Sequence, residues 1–524
     1  MESKSLWGDL DPEVEALLKD PALLYRIKCE LDRFIVGEDK NKLLLFLIAA
    51  SSYTKWPLSA IITGESSAGK SWLMNNVLRF FDNIEEFTRI TAAAPDRLGQ
   101  DFTNRILKVE ELRGTDQAQA TLRVWISEGR LRLLTTSPDT KEAEVIETKG
   151  VPTFITTCTD VNVDTELLNR VFFLSVDESK EQTKRVLEFE AQEYSILGVQ
   201  NYKEVNPLFK KIFQPLIYVD KVIIPYAHIL AKNFPIPETR ELAVKPRRDF
   251  KKLLFLIGTI AWLHQMQRII VEEESIPKIR YVVASPVDFV LAWQICEEGM
   301  KATLLNLSDR HRGVLEVFNE NEQLTAREVA EKTGYSQNRA REILNSLVKY
   351  GFLYRDEKEK PYKYGLRKKA EIPHTSDMFV QEIVSFYQEK LEEALTGMHE
   401  NTKIVRIYEP SHPWSLYVDP LTGKQYDLLN RSDFVFSCLP TEEARSSSKQ
   451  ETAEQNTRQP FVSETHKSEE IKALFWVDGE FTFHPCGICG YSKLTSWKAE
   501  TFNGQQFWIC EDCKEEWEKQ RKVE

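Results

Sequence analysis

Two short patterns in this chain hold chemically competent residues at fixed spacing. The first is Gly64-Glu65-Ser66-Ser67-Ala68-Gly69-Lys70-Ser71, a G-x-x-x-x-G-K-[ST] loop between the apolar run 59–63 and the helical pattern 72–78. Small residues there let backbone N–H groups turn inward on phosphates, Lys70 reaches the outer phosphates, and Ser71 offers a hydroxyl to Mg2+. The chemistry is that of a bound nucleoside triphosphate. The second pattern is Cys486-x-x-Cys489, then twenty residues, then Cys510-x-x-Cys513. Two such turns set four thiolates at the corners of a tetrahedron, the spacing of a closed, structural Zn2+ site. Zinc would supply the folding energy that so small a module lacks.

Triphosphate hydrolysis also needs a metal ligand and a group that handles water. The run Ile106-Leu107-Lys108-Val109 ends in Glu110-Glu111. Glu110 is assigned to Mg2+ and Glu111 to orienting or deprotonating the attacking water. Lys108 interrupts an otherwise apolar strand. Around these parts lie Val36 to Leu45 before the loop, Arg123 to Arg130 after the acids, the strand Thr153 to Thr159, and Glu166-Leu167-Leu168-Asn169-Arg170.

That order of parts resembles the AAA+ ATPase superfamily, and within it the minichromosome-maintenance (MCM) helicases and MCM-like proteins of mobile genetic elements. The resemblance spans about 36–305. It implies a parallel sheet with crossover helices and a helical lid, with ATP and Mg2+ as cofactors. It further implies that Thr159, with Thr157 second, senses the γ-phosphate, and that Arg170 is an arginine finger acting on a neighbouring subunit's nucleotide. Arg247 and Arg248 begin a helix read as Arg248 to Ile270 and look like the lid's sensor-2 arginine, with Arg248 taken as the nucleotide-facing residue. The assembly so implied is a homo-oligomeric ring, with a hexamer expected. A hairpin over residues 130–148 would project into its channel, with Arg130, Arg132 and Lys141 gripping single-stranded DNA. Only about 35 residues precede the core, and the stretch from Ser71 to Glu110 leaves little room for the family's extra helical insert.

The fold class that positions these residues is therefore α/β: an AAA+ P-loop core with a helical lid, a winged helix and a C-terminal zinc ribbon. The expected division is an N-terminal helical segment (1–35), the ATPase core (36–185), the lid (186–307), a winged helix (308–370), an unassigned α+β segment (371–440), a disordered linker (441–470) and the zinc module (471–524). In the winged helix, Thr325 and Glu328 read as a capping box and Gly334 as the stop of the first helix. The second helix, 336–350, buries Ile343, Leu344, Leu347 and Val348 and turns Gln337, Asn338, Arg339, Arg341 and Asn345 outward, residue types suited to a major groove.

Composition limits the partners. Of 524 residues, 81 are acidic and 69 basic, a net charge of −12, so nucleic-acid contact must be local rather than spread over the whole surface. The best apolar run, Leu43 to Ala50, is too short for a membrane span, the start lacks a secretory pattern, and scattered single thiols suit a reducing compartment, so the expected location is cytoplasmic with no membrane partner. The functional expectation is an ATP-dependent helicase or translocase on single-stranded or forked DNA, alongside replication proteins of a virus or mobile element. Two alternatives stay open: an ATP-switched initiator or loader that binds through its winged helix, and an AAA+ regulator that remodels a protein partner.

Overall fold

The computed structural model describes Trp7 and residues 10–65, 67–91, 94–112, 116–136, 142–158, 165–194, 204–236, 246–273, 278–305, 309–319, 322–349, 352–356, 360–366, 377–396, 402–406 and 414–429, then 471–476, 482–485, 492–495, 497–501, 506–508 and Lys514. Contacts divide the chain into two units, Met1–Phe436 and Ser437–Glu524.

In the first unit, α1 (Pro12–Lys19) and α2 (Leu23–Asp32) lead to α3 (Asp39–Ala50). The run Leu43 to Ala50 lies in α3, and every residue of it is buried, which is the behaviour of a helix apolar all round. Seven strands follow: β1 (Ala60–Thr63), β2 (Ile84–Phe87), β3 (Ile106–Val109), β4 (Arg130–Thr136), β5 (Ala143–Lys149), β6 (Thr153–Cys158) and β7 (Phe172–Ser175). Five make one sheet in the order β2-β3-β6-β1-β7, and every pairing in it is parallel. The connecting helices are α4 (Lys70–Leu78), α5 (Ala94–Arg97), α6 (Asp116–Glu128), α7 (Thr165–Leu168) and, after the last strand, α8 (Lys180–Glu193).

Strand alternation sorts the sheet's side chains onto two faces. Ala60, Ile62, Ile106 and Ile155 pack with Leu73, Met74 and Val77 of α4 and with α3. Ile61, Leu107, Val109 and Phe154 pack with Leu122 and Trp125 of α6. With both faces covered, β3 and β6 are buried along their whole length, as central strands of a parallel sheet should be.

Beyond the sheet, α9 (Pro207–Lys211), α10 (Ala227–Asn233), α11 (Pro246–Leu263) and α12 (Pro286–Leu305) supply the expected helices. The same region also carries β8 (Lys221–Ile223), β9 (Ile269–Glu273) and β10 (Ile279–Val283). The helix expected to run from Arg248 to Ile270 instead ends at Leu263, and a short turn at Gln265–Gln267 redirects the chain. The β-branched run Ile269-Ile270-Val271 then pairs with β10 rather than extending the helix.

Next, α13 (Asp309–Glu316), β11 (Gln323–Thr325), α14 (Ala326–Thr333), α15 (Gln337–Lys349), β12 (Leu353–Asp356) and β13 (Lys363–Leu366) form a unit with its own core around Val314, Val329, Leu344 and Leu347. Its strands order as β11-β13-β12, and among the described residues α13 and these strands stand beside the two expected helices. The capping box at Thr325 and Glu328 and the left-handed Gly334 are both present.

Residues 371–440, which the sequence left unassigned, contribute α16 (Asp377–Thr396), β14 (Thr402–Arg406), β15 (Leu416–Val418) and β16 (Gln425–Asp427). β14 completes a second sheet, β14-β9-β10-β8, and Ile383, Val384, Tyr387 and Leu428 are buried in the core shared with α11 and α12. In the second unit, β17 (Ile471–Trp476), β20 and β21 form one sheet while β18 (Thr482–Pro485) and β19 (Ser492–Thr495) form a hairpin, with β20 at Trp497–Thr501 and β21 at Gln506–Trp508. Cys486, Cys489, Cys510, Cys513 and the 441–470 linker lie outside the described residues. Among the described residues no helix is long and apolar enough to cross a membrane.

Candidate active site at the phosphate loop

β1 delivers the chain to Gly64 at the carboxyl end of the sheet, where open parallel sheets bind their ligands, and α4 begins at Lys70. Gly69 sits at φ 88°, a left-handed conformation that strains any side chain, and a Cβ at Gly64 would lie 2.5 Å from Val176 Cγ2. Lys70 is buried, and its Nζ donates to the carbonyls of Gly64 (2.9 Å) and Glu65 (2.5 Å). Burial draws the Lys70 pKa below the usual ammonium value, while Glu178, Glu111, Cys158 and Glu65 oppose the drop. Ser67 and Ser71 are exposed, Ala68 is half-buried, and Ser66 lies outside the described residues.

The loop already holds an anion. The Glu178 carboxylate accepts the Glu65 backbone N–H at 2.5 Å. Sequence reading missed Glu178, because nothing local ties a residue 113 positions away to the loop.

The sheet order puts β6 between β1 and β3, so the end of β6 is flanked by the loop on one side and the acid pair on the other. The Glu110 N–H donates to the Phe87 carbonyl at 3.1 Å, and the Leu112 N–H to the Thr157 carbonyl at 2.9 Å. The Thr157 hydroxyl donates to the Glu110 carbonyl, so the second-choice sensor residue touches the acid pair's backbone. Thr159 lies outside the described residues. The two acids differ in surroundings. Glu110 is ion-paired to Lys108 at 2.8 Å, whereas Glu111 is among the carboxylates felt by Lys70.

A cleft of about 890 Å³ opens beside the loop, lined in part by Val36, Trp72, Val186, Leu187 and Tyr335. Its walls are cross-braced: Gln182 Nε2 donates to the Val36 carbonyl (2.7 Å), Asn41 Nδ2 to the Ser175 carbonyl (2.7 Å), and the Asp177 N–H to the Glu38 carboxylate (2.6 Å). Lys42, fully buried, pairs with Asp39 at 2.7 Å and donates to the Gly37 carbonyl at 2.8 Å, which fixes the segment entering α3. A lysine inside an apolar helix was the signal available for it in the sequence.

Arg170 and Arg248 are not among the residues lining this cleft. The Arg170 guanidinium donates to Ser127 Oγ (2.5 Å) and to the Glu166 carbonyl (2.6 Å). Arg247 and Arg248 are exposed in the first turn of α11. That helix docks next to Arg170, since Lys252 Nζ donates to the Val171 carbonyl at 3.0 Å.

Of the residues expected to meet DNA, Arg130 and Arg132 are exposed on β4 in the β4–β5 hairpin, both facing Glu147 of β5, which Lys149 also approaches at 3.6 Å. Lys141 lies outside the described residues. On α15, Gln337, Asn338 and Arg341 are exposed, and Arg339 is half-buried in an ion pair with Glu342 at 3.0 Å. Asn345 Oδ1 accepts from Arg355 and from the Tyr364 hydroxyl, both at 3.4 Å, so that side chain is engaged within the unit.

Comparison with known proteins adds a partial frame. Residues 304–368 match the family described as sugar-specific transcriptional regulator TrmB. No curated protein matches the chain. Among solved structures, a Cytophaga hutchinsonii protein provisionally named an ATPase is similar at 12% identity, over 56% of this chain and 94% of that one, with a TM-score of 0.31. A superposition that loose leaves the assignment to the geometry of the site itself.

Proposed function

We propose that the chain is a homo-oligomeric ATPase of AAA+ MCM-like type that hydrolyses ATP at the 64–71 loop and couples turnover to movement along, or unwinding of, DNA. The observation that carries the nucleotide half is the meeting of the loop with Lys70, Thr157 and the Glu110–Glu111 pair at the ends of β1, β6 and β3. In this reading the loop N–H groups and Lys70 hold the phosphates, and Glu178 leaves Glu65 N–H as they arrive. Glu111 orients the attacking water and takes its proton, while Thr157 or Thr159 senses the γ-phosphate. The donor set of Ser71 and Glu110 is hard oxygen and suits Mg2+, which needs only one or two side chains beside phosphates and water. Bound Mg2+ would offset charge building on the phosphate oxygens.

Arg170 is not among the residues lining the cleft, which supports its serving a neighbouring protomer's nucleotide in a ring, with six subunits as the expected number, while Arg248, in the helix docked beside it, is the lid's sensor-2 candidate. Arg130, Arg132 and Lys141 would track the strand in the channel, and α15 of a winged helix would meet duplex through Gln337, Asn338, Arg339 and Arg341. The four paired cysteines would hold one structural Zn2+.

A second reading has its own support. The 304–368 match is to a family of transcriptional regulators, which favours an ATP-switched initiator or loader that binds duplex through its winged helix. Strand displacement on a forked duplex separates the two. The motor is expected to unwind it, and to lose unwinding in Lys70→Ala and in Arg132→Ala/Lys141→Ala. Wild type that hydrolyses ATP, displaces nothing and binds one duplex sequence tightly is the initiator.

A further inference from the structure

Lys108 has no part in the mechanism above, although it is a buried, doubly ion-paired cation on the strand that carries the acid pair. It lies in the middle of β3 with its side chain only 7% exposed. Alternation turns it onto the same face as Glu110, and the parallel register sets Glu86 of β2 directly beside it. Its ammonium contacts both carboxylates, Glu86 at 2.7 Å and Glu110 at 2.8 Å. A buried cation persists only when paired, so the two acids account for its presence in an apolar strand. The backbone ladder already joins β2 to β3 over four residue pairs, and Glu86 is largely exposed on the rim of a second cavity of about 550 Å³.

We propose that Lys108 is a positioning residue: its ammonium holds the Glu110 carboxylate and divides its charge between Glu110 and Glu86, setting how strongly Glu110 attracts the nucleotide-bound metal. The proposal rests on the ATPase reading. It makes the acid pair unequal, with Glu110 held and partly neutralised and Glu111 available to the reacting water. Glu86 becomes the adjustable member. With that carboxylate neutralised, Lys108 is left entirely to Glu110, and the metal must compete harder for it.

The test uses the full-length protein, a fluorescent non-hydrolysable ATP analogue and a Mg2+ titration of its binding, beside ATP turnover. Lys108→Met is expected to lower the Mg2+ concentration at half-saturation about fivefold while turnover falls about tenfold, because charge is released and orientation lost. Glu86→Gln is expected to raise that concentration about threefold with little change in turnover. Lys108→Arg should return both values close to wild type. Opposite shifts from two residues in one ion-paired cluster would not follow from a loosened sheet, which moves both the same way. If Lys108→Met does not fold, Glu86→Gln decides alone, and an unchanged Mg2+ titration overturns the proposal. Wild type that neither binds the analogue nor hydrolyses ATP overturns the ATPase reading and this proposal with it. An active wild type whose folded variants titrate as it does overturns this proposal alone.

Discussion

Around the phosphate loop the cations are inside: Lys42, Lys70 and Lys108 are all buried, and carboxylates or carbonyls hold every one of them. In the 309–366 unit the arrangement is reversed: among the described residues the core is apolar apart from His311, and Arg341, Gln337 and Asn338 are exposed to solvent. A buried charge is costly unless its partners are fixed, so the cleft constrains each residue to one geometry. An exposed charge is screened and exchangeable, so the outer face of α15 suits a polyanion met over a range of positions.

The largest expected effect separates the two regions outright. Arg339→Ala/Arg341→Ala should weaken duplex binding about tenfold or more and reduce the salt dependence of binding by up to about two phosphate contacts, leaving the DNA-free ATPase rate unchanged. Fluorescence anisotropy across a salt series measures the first two and a phosphate-release assay the third. A fall in basal ATPase rate would mean the two regions are not independent.

A smaller change is expected inside the cleft. Glu178→Gln removes the charge that competes with phosphate for the Glu65 N–H, so nucleotide should bind about fivefold tighter, the worth of roughly one hydrogen bond. Calorimetry with ADP reads this directly. Weaker binding would show that Glu178 supports the loop and does not compete with the ligand.

The smallest effect sharpens the comparison through two histidines, one in each region. Burial pushes both His264, in the core beside α11, and His311, in the 309–366 unit, down to about 4, and Arg339 adds to the shift of His311. With the folded values below the unfolded one near 6.5, each ring contributes stability that is complete above pH 6.5 and lost as pH falls toward 4. Melting temperatures over that window should decline in wild type and decline less steeply in His311→Gln. An identical slope in the variant would remove His311 from the account.

Local chemistry made much of this legible beforehand. The glycines and lysine of the 64–71 loop, the strand before it and the helix after it are specified within the single stretch 60–78, and the Thr325–Glu328 capping box and the Gly334 stop are equally local. Alternation placed Lys108 and Glu110 on one face, but it could not say which strand lay alongside.

What the sequence determined by itself is what neighbours along the chain can impose: phosphate-loop geometry, helix caps, burial stripes and the paired-cysteine spacing. Tertiary structure alone decided that β6 separates β1 from β3, that Glu178 reaches the loop, that Glu86 faces Lys108, and that β14 crosses into the second sheet. The reason is physical. These contacts join residues 22 to more than 100 positions apart, and their energy depends on a desolvated neighbourhood that exists only once the sheet has formed.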